Sequence, residues 1–282
     1  MEKLHVVSFS GGKDSTAMLL HMMELEMQID IVLYCDTWME FPAMYRHVEK
    51  IKKIVEDAEI KFVTLKNPKS FKYLMLEHQP KRRKSTQEKL GVNPKGYSWA
   101  GSRSRWCTSR LKTDLLKKYR SELRNKYDVV EYVGIACDEQ YRLERESNQQ
   151  HEHPLVDWGW TEKDALQYCY DKGFDWEGLY EYFSRVSCWC CPLQSLAELR
   201  KLRKHFPDLW HELKEMDNQT WRNFRSDYSV EELEIRFDFE ERRLNQGLSI
   251  TNKDFHTKLK EVISNAVIRT SAKSLAGNRR SE

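Results

Sequence analysis

An α/β protein is predicted, built on an open parallel sheet with helices on both faces and followed by a small, mainly helical C-terminal region. Three observations predict it: four short apolar runs, amphipathic helical patterns between them, and a Ser-Gly-Gly-Lys-Asp-Ser turn where the first run ends. Strands buried on both faces read as nearly continuous apolar stretches, and strand alternating with helix indicates right-handed crossovers. With 282 residues, 40% of them apolar and 12% aromatic, the chain can bury one sizeable core and an appendage.

The elements follow in order. Residues 4–9 form the first strand, and a helical pattern places Met18, Met22 and Leu25 on one face. Residues 29–34 form the second strand, followed by a helix with Met44, Val48, Ile51 and Val55 on one side; residues 61–65 and 129–136 are the third and fourth strands. Residues 78–106 break the rhythm with Pro80, Gly91, Pro94, Gly96 and Gly101 and read as a long, mobile basic insertion over the site. Next comes a helix with Leu115, Leu116 and Tyr119 on its apolar face and Lys117 and Arg120 on an exposed one. A capped helix starts at Thr161, with Asp164 three residues on and Ala165, Tyr168 and Cys169 facing inward. Leu196, Leu199, Leu202, Trp210, Leu213 and Trp221 continue a helical pattern. The expected division is 1–195 for the nucleotide-binding domain, 196–270 for the helical region and 271–282 for a disordered tail.

The turn after the first strand carries the clearest chemistry. Gly11 and Gly12 let the backbone approach an anion, the amides of the opening helix point toward it, and Lys13 adds a mobile positive charge. Ser10, Gly11, Gly12, Lys13 and Ser15 are therefore candidate phosphate ligands, with Asp14 beside them. In an open parallel sheet the ligand sits above the carboxyl ends of the strands, where Asp36 and Asp138 also emerge.

Charge is uneven. Residues 81–126 hold fifteen Lys or Arg against three Asp or Glu, and residues 208–241 hold four against eleven. The basic segment suits a polyanion such as nucleic acid, or is a solvated helix surface; the acidic segment could dock a partner. The sequence has no run of eighteen apolar residues and no signal pattern before the first strand, so a cytoplasmic protein without membrane contact is expected.

Cys188, Cys190 and Cys191 lie within four positions, just before Pro192, and Cys107 lies upstream in the basic segment. Four thiolates suit an iron–sulfur cluster or a tetrahedral zinc, and three buried small hydrophobes are the structural alternative. Cys35, Cys137 and Cys169 read as core.

The Ser10 to Ser15 loop resembles the PP-loop of the adenine nucleotide α-hydrolase-like superfamily, and later motifs are similar to the phosphoadenosine phosphosulfate (PAPS) reductase family within it. These motifs are Asp36-Thr37-Trp38-Met39-Glu40-Phe41-Pro42, Trp106-Cys107-Thr108 with Arg110 and Lys112, His153-Pro154-Leu155-Val156-Asp157-Trp158, and Cys188-Trp189-Cys190-Cys191-Pro192. Trp38 stands where the family has glycine. Asp138, Glu139, Arg142, Arg145 and Glu146 resemble a further family region, with Arg142 a candidate substrate contact and His153 packed in a turn.

The resemblance, which covers residues 4–195, implies a Rossmann-like HUP/PP-loop fold and an adenine nucleotide, ATP or PAPS-type, bound with Mg2+. It implies catalytic roles for Lys13, Asp14 and Asp36, nucleotide contacts from Asp36 and Arg142, and a [4Fe-4S] cluster, or alternatively zinc, on Cys107, Cys188, Cys190 and Cys191. Three activities are then open. An ATP pyrophosphatase or adenylating sulfurtransferase would use the thiols and a sulfur donor protein, with a nucleic-acid acceptor on the basic segment. A PAPS or adenylyl-sulfate reductase would need a mobile C-terminal thiol, and no cysteine follows Cys191. A non-catalytic nucleotide-binding subunit of a larger complex is the third.

Overall fold

The structure, a computed structural model, describes residues 1–144, 151–186 and 188–277. Five strands, β1 (Lys3–Phe9), β2 (Ile31–Asp36), β3 (Lys61–Lys66), β4 (Asp128–Val133) and β5 (His151–Glu152), form one sheet in the order β3-β2-β1-β4-β5, with every pairing parallel. The expected α/β architecture is present. β5 was not foreseen, because a two-residue polar strand gives no apolar run.

Among the described residues of the first unit, ten α-helices connect and flank these strands: α1 (Lys13–Glu24), α2 (Pro42–Asp57), α3 (Phe71–Leu76), α4 (Lys84–Leu90), α5 (Trp106–Thr108), α6 (Asp114–Arg124), α7 (Gln140–Leu143), α8 (Pro154–Asp157), α9 (Glu162–Asp171) and α10 (Leu179–Tyr182). On one sheet face Val6, Ile31, Leu33 and Val129 are buried against Leu116, Tyr119 and Leu123 of α6. On the other, Phe9 meets His47 of α2, whose Met44, Val48, Ile51 and Val55 are all buried as expected. Full burial of each such side chain favours folding by roughly 1.5–3 kcal/mol. Leu25 departs from its expected place: it is the C-cap of α1 and 52% exposed. α9 has the expected capping box, with Thr161 accepting from Asp164 N at 3.2 Å and Asp164 accepting from Thr161 N at 2.9 Å.

The basic insertion is tied down at several points. Arg82 donates to Asn93, Pro94 and Gly96, Gly96 packs too close to the Met75 carbonyl to admit a side chain, and Trp99 and Trp106 are buried. Arg120 likewise leaves the exposed face. Its guanidinium lies on Glu131, which is fully buried in β4.

The chain divides into two compact units, the first Met1–Cys191 and the second beginning at Pro192. The second holds α11 (Leu196–His205), α12 (Pro207–Asn218), α13 (Val230–Asn245) and α14 (Lys253–Gly277) around Leu199, Leu202, Leu213, Phe237 and Phe255. Ser195 and Ser229 cap α11 and α13. Trp210 is buried as expected, whereas Trp221 is 37% exposed. α14 runs through residues 271–277 of the stretch expected to be disordered, where Ala272, Lys273, Leu275 and Ala276 favour helix; residues 278–282 lie outside the described residues. Among the described residues no helix is long and apolar enough to cross a membrane.

Candidate functional site

The loop between β1 and α1 folds around its own hydroxyls. Ser15 Oγ accepts from Ser10 N at 3.1 Å and lies 2.9 Å from Ser10 Oγ. Gly11 has φ +82°, and a Cβ there would sit 2.7 Å from Met44 Sδ, so both conformation and space call for glycine. Trp176 Nε1 donates to Gly11 O at 2.8 Å from beneath. Helix α1 has Gly12 at its N-cap, which brings no side chain to its positive end. The Lys13 amide donates to Tyr180 Oη at 2.8 Å. Gly134, just beyond β4, brings its backbone so close that a Cβ would lie 2.9 Å from Ser15 N.

Lys13 is 6% exposed, and its Nζ lies 3.0 Å from Glu162 and 3.2 Å from Asp14. Carboxylate atoms of Asp14, Glu139 and Glu162 converge within 4.8 Å of one another. Burial raises Asp14 above the usual carboxylate range, although Lys13 pulls it back, and Asp14 Oδ1 is buried without a hydrogen-bond partner. Three carboxylates and an orphaned oxygen beside a phosphate-type loop fit a hard divalent cation. Arg142 pairs with Glu139 instead of facing the loop alone. Arg145 and Glu146 lie outside the described residues.

Asp36 is committed to its own loop. Its Oδ1 accepts from Trp38 N at 2.7 Å and Tyr45 Oη at 3.0 Å, and its Oδ2 pairs with Lys66 at 2.6 Å. Trp38 has φ +72°, the region glycine occupies without strain, which accounts for glycine being the family's residue at this point.

The next residue back joins this loop to the cysteines. Thr37 Oγ1 lies 3.3 Å from Cys188 Sγ and donates to Glu40 Oε1 at 2.7 Å, while Trp189 N donates to Met39 O at 3.1 Å. Burial, with Glu40 second, pushes the Cys188 thiol far up, and Cys190 is raised in the same way by burial and then by Cys188, Cys191 and Cys107. Burial works against a charged Lys112, yet Glu40, Cys188, Cys35 and Cys107 outweigh it and hold the ammonium above the usual lysine value. The four predicted cysteines are thus gathered in one electrostatic neighbourhood. Lys112 is delivered by a π-helical turn, Ser109–Thr113, between α5 and α6.

Cys35 joins them, contrary to its core reading. It is half-buried, pushed up to about 11 by burial, with Lys112 and Arg120 opposing. Cys169 is buried under the loop, 3.5 Å from Lys13 O, and Cys137 is half-buried. None of the seven cysteines is in a disulfide. Neutral buried thiols become ligands when a cation takes them as thiolates; the donor atoms suit an iron–sulfur cluster by their chemistry, and would suit zinc only at closer spacing. Thiolates on zinc stand about 3.8 Å apart, from bonds of about 2.3 Å. Among the described residues no three of these sulfurs lie within 4.8 Å of one another.

Tyr180, Gly134 and Glu162 escaped the sequence reading. Glu162 alone carries a local signal, as the first residue after the Thr161 cap.

The chain is 26% identical over 247 residues to the uncharacterized protein MJ0066 of Methanocaldococcus jannaschii, covering 81% of this chain and 43% of that protein. It is 28% identical over 211 residues to MJ0973 of the same organism, covering 72% and 45%. The chain thus spans less than half the length of these curated relatives. Among solved structures it is similar to the U34-tRNA thiolase NcsA from Methanococcus maripaludis with its [4Fe-4S] cluster, at TM-score 0.37 and 17% identity, over 76% of this chain and 67% of that one. That distance is too great to transfer chemistry. The phosphoadenosine phosphosulfate reductase domain matches residues 4–194, about two thirds of the chain, and to that family the chain belongs.

Proposed function

We propose that the protein is an ATP pyrophosphatase that adenylates an acceptor and then replaces the activated oxygen with sulfur. The observation that carries this reading is the junction of loop and thiols: β1 and β2 are neighbours, the phosphate-type loop follows β1, and Thr37, just after β2, touches Cys188 at 3.3 Å.

The backbone amides at the start of α1 and the hydroxyls of Ser10 and Ser15 would bind the phosphates of ATP, and Lys13 would stabilise charge developing on the α-phosphoryl group. An acceptor oxygen attacks the α-phosphorus, pyrophosphate leaves and the acceptor proton is released. Sulfur at the sulfide level, from a donor protein or inorganic sulfide, then attacks the acceptor carbon and AMP leaves, with no net oxidation or reduction. Asp14, Glu139 and Glu162 would hold Mg2+, which neutralises the leaving pyrophosphate. Cys107, Cys188, Cys190 and Cys191 would hold a [4Fe-4S] cluster, which supplies a place to bind sulfide. Asp36 keeps the Trp38 loop in place, and Lys112 balances negative charge at the thiols.

The test is pyrophosphate release from ATP and Mg2+ by the anaerobically purified protein, with sulfide and with total RNA or DNA as acceptor. Release should depend on the acceptor and fall by about 100-fold or more in Lys13→Ala, the scale of losing one preorganised charge donor. Sulfite formation from PAPS or adenylylsulfate with thioredoxin would instead establish a reductase. ATP binding without any pyrophosphate would establish an inert subunit.

A further inference from the structure

Beside Cys107 lies a cavity of about 410 Å3 whose lining includes Tyr97, Arg103, Arg105, Trp106, Arg110 and one carboxylate, Asp114. Tyr97 stacks on Trp106 with ring centroids 5.2 Å apart and planes 18° apart, so the aromatic wall is fixed. Arg110 is shared with Asp114 at 2.9 Å. Arg103 and Arg105 are exposed and have no ion-pair partner among the described residues. Two unneutralised guanidinium forks in one concave site are a receptor for phosphate, which they match with paired donors.

A second feature is hydrogen-bonded to the backbone of Arg110. Asn67 Nδ2 donates to Arg110 O at 3.0 Å, and Trp38 Nε1 donates to Asn67 O at 3.0 Å. An indole 38% exposed is thereby linked through Asn67 to Arg110 of the cavity, with the Lys66 ammonium 3.5 Å from its ring centre. Its backbone holds φ +72°, the left-handed region that strains a side-chain-bearing residue. The sulfur site adjoins both ends of this surface, since Cys107 follows Trp106 in α5 and Thr37, before Trp38, touches Cys188.

We infer that this surface holds a single-stranded nucleic acid as the acceptor, with a backbone phosphate in the arginine cavity and a base stacked on Trp38. The inference rests on the proposed sulfur transfer for its purpose. Arginine forks beside exposed aromatic faces are what a single strand needs, because every base offers a π-face and every linkage a phosphate. The surrounding segment 81–126 supplies the long-range attraction. An acidic peptide would engage the arginines and leave the indole idle.

Fluorescence anisotropy of the full chain tests this, without nucleotide or sulfur donor, using labelled single-stranded RNA and DNA of one sequence and about twelve nucleotides, within the site size of one small binding module. Failure of pyrophosphate release would leave this binding result standing. Arg103→Ala with Arg105→Ala should weaken binding about tenfold or more and flatten the salt dependence by about 0.7 for each phosphate that is no longer neutralised. Lys117→Ala with Lys118→Ala, equal in charge but on α6, should cost no more than about threefold by weakening the general field alone. Trp38→Leu should cost about fivefold or more, and Trp38→Gly, which relieves the backbone as it removes the ring, should bind as weakly while melting no lower than wild type. Whichever strand binds tighter names the acceptor. Equal losses in the two double variants, unchanged binding by both Trp38 variants, or competition by a polyglutamate peptide as effective as the unlabelled oligonucleotide would overturn the assignment.

Discussion

Two charged regions look like mirror images in the sequence and behave differently in the fold. In segment 208–241 several of the eleven acids pair with arginines of their own unit: Glu240 lies between Arg200 at 2.6 Å and Arg236 at 2.8 Å, and Arg203 reaches Glu234, Asp238 and Glu241. In segment 81–126 Arg103 and Arg105 face a cavity unpaired among the described residues. A segment's net charge therefore says little until its partners are known. Part of the acidic stretch that reads as a docking surface by count is tied to internal arginines by contact; the basic stretch keeps two arginines unpaired among the described residues.

Arg120 is the exception inside the basic segment, and it breaks the comparison at its largest expected effect. It lies on Glu131, which is fully buried and also accepts from Ser8 Oγ at 2.5 Å, with His151 Nε2 at 3.6 Å. Burial opposes ionisation of Glu131, but His151, Arg120 and Ser8 outweigh it and hold the carboxyl below its usual range. Arg120→Ala should destabilise the protein by about 3 kcal/mol in urea unfolding at neutral pH, as removal of one partner from a buried pair does. The Arg103→Ala, Arg105→Ala protein should stay within about 0.5 kcal/mol of wild type. A folded Glu131 pKa below the unfolded value gives stability that is present above the unfolded pKa and is lost as pH falls through the folded one. The Arg120→Ala deficit should accordingly shrink in acid.

His47 sharpens the contrast from another side, since it is a chargeable group that is kept neutral. Buried at 3% exposure against Trp176 and bonded to Thr16 Oγ1 at 3.0 Å, it is lowered to about 3, chiefly by burial and then by Lys50. Its folded pKa lies below the unfolded value of about 6.5, so the unfolded chain binds the extra proton first. Stability should be full above pH 6.5 and fall by roughly 1.4 kcal/mol per unit as pH drops toward 5, before the carboxylates titrate. His47→Gln should flatten that slope, and an unchanged slope would show that His47 is solvated.

Much of the fold and part of the site were legible because their signals are contiguous. The loop from Ser10 to Ser15, the helix faces of α2 and α9, and the Cys188 to Cys191 cluster each lie within one stretch of chain. What was hidden lies between distant residues. Tyr180 meets the Lys13 amide across 167 positions and Glu162 meets Lys13 across 149. Cys35 reads as core because it sits in an apolar strand, yet its place next to the carboxyl end of β2 puts it within reach of Lys112. Trp38 was visible as a departure from glycine, but only its backbone angle and its bond to Asn67 show what the departure does. Arg120 has the spacing of a surface lysine or arginine, and nothing in α6 announces the glutamate waiting in β4.

The smallest effect concerns the half-exposed pairs of the second unit. Arg203 has a side chain 19% exposed, while its partners Glu234, Asp238 and Glu241 are 26%, 52% and 66% exposed. Solvent screens most of that attraction, and exposed pairs contribute only about 0–1 kcal/mol each. The planar guanidinium nevertheless serves several carboxylates at once, which a lysine ammonium cannot do with the same geometry. Glu234 is additionally held by Trp210 Nε1 at 2.5 Å, so it stays in place when Arg203 changes. Arg203→Lys should therefore lower stability by about 0.5–1 kcal/mol at low ionic strength, and the difference should narrow in about 1 M salt, where the screening length falls to about 3 Å. A loss above about 2 kcal/mol that salt leaves unchanged would mean that Arg203 works as packing, through its stem, and that the acidic segment is not neutralised by the pairs described.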